Sequence, residues 1–152
     1  MQPPMFWGKS RRDREVVERF VSALNAHDAD AIEPLLTEDF TYIDSWREGV
    51  TGRDRVMAAL RLLLSIDPEF RLDVERMDWR DPQMLMTGRV HSRQFGPDRR
   101  AVWQVTVRDG LVAEYQAWAE GGPPPLSRTL APEHTRSMAD RAAPKPELEG
   151  GE

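Results

Sequence analysis

The chain has 152 residues, with three histidines, two tyrosines and no cysteine. Thiolate nucleophiles, disulfides and cysteine-ligated zinc are therefore excluded, and any chemistry falls to carboxylates, phenols, imidazoles and guanidiniums. His27, His91 and His134 lie far apart in sequence and none forms a paired ligand motif, so neither a metal site nor a cofactor is expected. The segment Y-I-D-S-W at 42–46 puts a phenol and a carboxylate two residues apart, on one face of a strand. Asp44, beside the aromatic residues Tyr42 and Trp46, is suited to removing a proton next to a carbonyl. The alternative is a solvated carboxylate where a strand turns into a loop, a common place for Asp. Tyr42 either donates its hydroxyl to a ligand oxygen or packs. His91, an imidazole that changes charge near neutral pH, either exchanges a proton with Asp44 or is a satisfied structural histidine. Arg89 shares a strand face with His91 and could hold an anionic ligand, pair with Asp44, or brace the strand through a salt bridge.

The elements that must position these groups are legible from periodicity. Val16, Val17, Phe20, Val21 and Leu24 form one stripe of an amphipathic helix over 12–26. Asp28 or Asp30 can cap a short second helix, which Pro34 delays or kinks. A short strand follows from Phe40 to Ile43, then a loop at 48–52. Thr51 and Asp54 resemble a capping box for a third helix, ending near Ile66 before Pro68. From Phe70 to about Ala119 the pattern is antiparallel sheet, four strands broken at Asp81-Pro82, Gly96-Pro97-Asp98 and Asp109-Gly110. Asp109-Gly110 is the strongest hairpin signal in the chain. Helices first and strands afterwards indicate an α+β fold. The expected organisation is a flexible N-terminus at 1–11, one domain at 12–120, and a Pro/Gly-rich, largely disordered tail at 121–152.

Composition narrows the function classes. A net charge of -5 argues against nucleic-acid binding, which needs a surplus of clustered Lys and Arg. The amino terminus lacks the form of a signal peptide and no apolar run approaches the roughly 20 residues of a membrane helix, so a cytoplasmic protein with no membrane partner is expected.

The pieces T-E-D-F-T-Y-I-D at 37–44, T-G-R-D at 51–54 and V-R-D-G-L-V-A-E-Y at 107–115, in this order and spacing, resemble the SnoaL-like branch of the nuclear transport factor 2-like superfamily. The resemblance spans roughly residues 13–120. It implies a cystatin-like, cone-shaped curved antiparallel sheet wrapped around N-terminal helices, a deep pocket for a small apolar molecule, carbonyl-containing if the protein is an enzyme, and homodimers packed through the outer sheet face. That fold hosts ketosteroid isomerase, polyketide cyclases, dehydratases and epoxide hydrolases, so membership alone names no reaction. Asp44 lies where isomerase-like members carry the general base, and Gln104 stands at the strand position of an oxyanion-hole acid, where its amide can donate instead. Arg89 and Tyr42 match an arginine and a tyrosine of limonene epoxide hydrolase, but His91 and Ala117 replace its two acids, and that activity is rejected. The resemblance thus implies Asp44 and His91 as catalytic groups, with Tyr42, Trp46, Arg89 and Gln104 binding ligand. The expected chemistry is cofactor-free isomerisation, cyclisation or dehydration; the alternative is a non-catalytic ligand carrier or a dimeric interaction module. Strand parity adds a condition: if Gln104 faces inward, Trp103 and Val105 face outward, where they would need a partner chain.

Overall fold

The apolar stripe of the first helix is buried as expected in the computed structural model, which describes residues 5–121 and 124–147: Val16, Val17, Phe20, Val21 and Leu24 all face the core from α1 (Met5–Asn25). The helix begins at Met5 instead of residue 12, so only residues 1–4 of the expected flexible leader remain, and they lie outside the described residues. Its first turns are held by a tertiary contact that no local pattern reveals. Asp13 is buried and accepts hydrogen bonds from Lys9 Nζ at 2.8 Å and from Trp79 Nε1 at 2.9 Å, while Lys9 also meets Asp81 at 2.7 Å.

Asp28 caps α2 (Ala29–Ile32) by accepting from the Ala31 N–H, and the chain then tightens into a 3₁₀ turn at Glu33–Leu35 that accommodates Pro34. β1 (Leu36–Ile43) and β2 (Glu48–Thr51) form an antiparallel pair. Thr51 belongs to this pair, its hydroxyl 3.1 Å from that of Thr41, so the expected capping box is not made and α3 (Arg53–Ile66) starts after Gly52 without a side-chain cap.

The four strands expected between 70 and 119 are β3 (Arg71–Arg80), β4 (Gln83–His91), β5 (Arg99–Arg108) and β6 (Leu111–Ala119), in consecutive antiparallel pairing. Asp109 and Gly110 both have positive φ, at 53° and 78°, as a two-residue hairpin turn requires. One expectation fails: β6 also pairs with β1 in parallel, so the sheet is mixed, with order β3-β4-β5-β6-β1-β2-β7, the last a two-residue strand at Arg136–Ser137. Strand bulges between Val74 and Arg76 and between Thr106 and Val107 bend the sheet around the helices. Met84, Met86, Ala101, Trp103, Val105 and Tyr115 on its concave face join the helical stripes in one core.

The segment beyond 120 departs from the expected disordered tail. Residues 122, 123 and 148–152 lie outside the described residues, but between them the chain forms α4 (Leu126–Leu130), then β7, which pairs with β2. It then crosses the outer sheet face, where the Gln116 amide donates to Ala143 O at 3.1 Å and accepts from Ala143 N at 3.0 Å. Arg141 adds an ion pair with Glu114 at 2.6 Å. Reciprocal amide bonding lets a proline-rich segment dock without an apolar stripe, which is why composition alone misjudges it. It also means that part of the face expected to hold a second chain is occupied by residues of the same chain. Among the described residues, no helix is long and apolar enough to cross a membrane.

Candidate functional site

A cavity of about 140 Å³ lies between the helices and the concave face, where β1 and β6 end and β5 begins. A cavity of roughly this volume takes a single aromatic ring. Phe20 and Leu24 from α1, Phe40 from β1, Leu60 and Leu63 from α3, and Trp103 from β5 supply much of its apolar wall. Pro124, Leu126, Ser127 and Leu130 close it from above, so α4 serves as its roof.

The polar groups on this wall are few. Ser45, Ser92 and Ser127 line it, but their hydroxyls donate to Ala117 O, Asp67 Oδ2 and Glu48 O. Tyr42 and Tyr115 line it with ring centroids 5.8 Å apart, and neither phenol hydroxyl has a hydrogen-bond partner among the described residues. Burial, then the nearby Asp44 charge and Tyr115, hold the Tyr42 phenol well above its ordinary pKa. Burial raises Tyr115 as well. Both are therefore neutral O–H donors across the whole physiological range.

A testable consequence follows from linkage. Because the folded-state values are raised, the tyrosines contribute stability that is fully present below the unfolded value, near 10.0, and is lost as pH rises above it. In an absorbance titration the chain's two tyrosines should stay un-ionised past that pH until the protein unfolds. A native-state tyrosinate signal at the ordinary value would show that the rings are solvated.

Asp44 is 2% exposed and lines the same cavity. Its Oδ1 accepts from Trp46 N at 2.9 Å and Glu48 N at 3.2 Å, the local bonds of a side chain that closes its own turn. Its Oδ2 accepts from Ser127 N at 3.0 Å, which ties the carboxylate to the roof. One lone pair of Oδ2 has no partner among the described residues.

Of the sequence-predicted residues, then, the fold brings Tyr42 and Asp44 together and leaves four elsewhere. Val90 and Ser92 line the cavity from β4 and its continuation, so Arg89 and His91, one residue out of step, face away. His91 instead sits between Asp98, with Nδ1 to Oδ2 at 2.6 Å, and Asp73, with Nε2 to Oδ2 at 3.5 Å. Parity was hidden because Met84, Leu85 and Met86 are all buried, so β4 lacks a clean alternation. On β5, Ala101 and Trp103 line the cavity, and Gln104 lies on the outer face opposite Gln116 in the strand register. The conditional parity is thus resolved the other way, with Trp103 inside. Trp46 is 52% exposed and its ring lies 6.0 Å from the Arg128 guanidinium, outside the cavity wall.

Sequence reasoning passed over Tyr115, Arg99 and the roof. Tyr115 is not reached by counting: a regular ladder from the Asp109-Gly110 turn would pair it with Gln104, and the bulge between Thr106 and Val107 moves it opposite Val105, on the face of Trp103, with the small residues Ala117 and Ala119 two and four positions on. The roof presents Leu126 and Leu130 to the cavity but docks through backbone contacts that leave no local signal.

Comparison with known proteins supports this architecture. The SnoaL-like domain profile matches residues 17–115. No curated protein matches the chain. Among solved structures, an NTF2-like protein of unknown function from Mesorhizobium loti is 20% identical, covers 79% of this chain and 98% of its own, and has a TM-score of 0.66. A ketosteroid isomerase-like protein from Kribbella flavida is 22% identical, with coverage of 80% and 88% and a TM-score of 0.63. An LEH-like epoxide hydrolase from M. tuberculosis is 19% identical, with coverage of 72% and 84% and a TM-score of 0.64. At these identities the likeness is one of fold.

Proposed function

Because the chain belongs to the SnoaL-like domain family, we propose that its cavity binds a small apolar carbonyl compound and moves a proton on the carbon beside that carbonyl. The observation that supports this most is the meeting, in one apolar cavity, of a buried carboxylate and two neutral phenols that have no hydrogen-bond partner among the described residues. The carbonyl oxygen accepts from the Tyr42 and Tyr115 hydroxyls. The adjacent C–H bond breaks, its proton passes to Asp44 Oδ2, and its electron pair moves into an enolate whose oxygen the phenols stabilise. Return of that proton to another carbon completes an isomerisation without any cofactor. Stabilisation by fixed donors in a water-poor cavity needs no reorganisation as charge develops.

A second reading, a carrier that binds the same guest without turning it over, is favoured by the three N–H groups on Asp44, which also make it a structural link to the roof. One experiment separates the two. The protein is incubated in deuterated water with a one-ring β,γ-unsaturated ketone, and exchange and isomerisation are followed by NMR. Catalysis is expected, with Tyr42→Phe and Tyr115→Phe each slowing it by about 10²-fold. Tight binding with no exchange above the buffer rate would establish the carrier.

A further inference from the structure

Arg99 is the first residue of β5, and its side chain lines the cavity on the same face as Ala101 and Trp103. Like Arg14, Arg47 and Arg53, Arg99 has no acidic partner among the described residues, but unlike them it lines the cavity. Among the described residues its guanidinium bonds only to backbone carbonyls: Nε to Pro97 O at 3.1 Å, Nη2 to Phe95 O at 3.0 Å and Nη1 to Glu120 O at 3.5 Å. These contacts come from the loop before β5 and from the residue just past β6. Gly96 adopts φ +105°, and a Cβ there would crowd Arg99 Nη2. Carbonyls fix the group in place without neutralising it.

A guanidinium carries five N–H donors. One on Nε, one on Nη1 and one on Nη2 are used, which leaves one on each terminal nitrogen to donate to an anionic acceptor. We infer that Arg99 recognises a carboxylate on the guest, so that the cavity takes an apolar oxo-acid with its carboxylate held at Arg99 and its carbonyl oxygen at the tyrosines. This rests on the proposed function and names its substrate class. It also sets the guest's orientation, because an anionic end is repelled by Asp44 and attracted to Arg99, the one cation among the described residues of the wall.

The test uses phenylpropanoate and its primary amide, which share shape but not charge, in calorimetric titrations at neutral pH and low salt. The acid should bind about 10- to 100-fold more tightly than the amide, the range expected for hydrogen bonds to a charged group. In Arg99→Gln that ratio should fall to about one with amide affinity retained, which also verifies that the cavity survives the change. Arg99→Lys, keeping charge but losing the planar pair, should restore only part of it. Equal binding of acid and amide by the wild-type protein, or an undiminished preference in Arg99→Gln, overturns the role of Arg99 and leaves the cavity reading intact. Binding of neither probe overturns both.

Discussion

Asp44→Asn is expected to slow proton abstraction by about 10²- to 10⁴-fold, the range that a positioned general base supplies, while guest affinity changes little. The amide keeps an oxygen that can accept from Trp46 N and Glu48 N, so the turn at 44–48 should persist. At the other atom an NH₂ group would face the Ser127 N–H, donor against donor, which removes the bond between carboxylate and roof. Leaving that buried donor unpaired costs about 1–3 kcal/mol, so kinetics should be measured well below the variant's unfolding midpoint. A rate loss at unchanged affinity assigns proton transfer to the carboxylate. An unchanged rate would reduce Asp44 to its structural task of joining β1, the following turn and α4.

Trp103→Ala should produce the largest stability loss of any single change in the cavity wall. The side chain is 2% exposed, belongs to the core and borders the cavity from β5. Truncation of a buried tryptophan costs about 3–5 kcal/mol, through lost apolar transfer energy and the space left behind. Urea unfolding monitored by circular dichroism should report that loss as a lower midpoint. Among folded molecules the enlarged cavity should accept two-ring guests that the wild-type protein excludes. A loss below about 1 kcal/mol would place the indole against solvent and contradict the inward face of β5.

The same residue illustrates what the sequence could and could not reveal. The helices, the four-strand meander and its turns follow from apolar spacing and turn chemistry, because both act within a few residues. Which face of a strand points inward is a single binary choice, and it was decisive here. On β1 the choice was readable, since Phe40 and Tyr42 alternate into the cavity ahead of Asp44. On β5 the buried Val102 and Gln104 alternate with the buried Ala101, Trp103 and Val105, so burial on both faces erased the pattern. The outward faces of Arg89, His91 and Gln104 and the inward place of Arg99 are therefore not legible from spacing. The roof was hidden for a different reason. Its docking uses the Ser127 N–H on Asp44, the pairing of Arg136–Ser137 with β2 and the Gln116 amide on Ala143, and none of these depends on an apolar stripe. The parallel pairing of β1 with β6 joins residues such as Tyr42 and Tyr115, more than seventy positions apart, and no local signal announces it.

That pairing is also what makes the site, because it sets the two phenols side by side above the core. The most direct measurement is a crystal structure of the protein soaked with cyclohexenone, a ring of suitable size bearing a single carbonyl. The ring should occupy the space beneath α4, with its oxygen within hydrogen-bond distance of both the Tyr42 and Tyr115 hydroxyls. An empty interior with the guest bound only on the outer sheet face, or a carbonyl turned away from both tyrosines, would contradict the assignment.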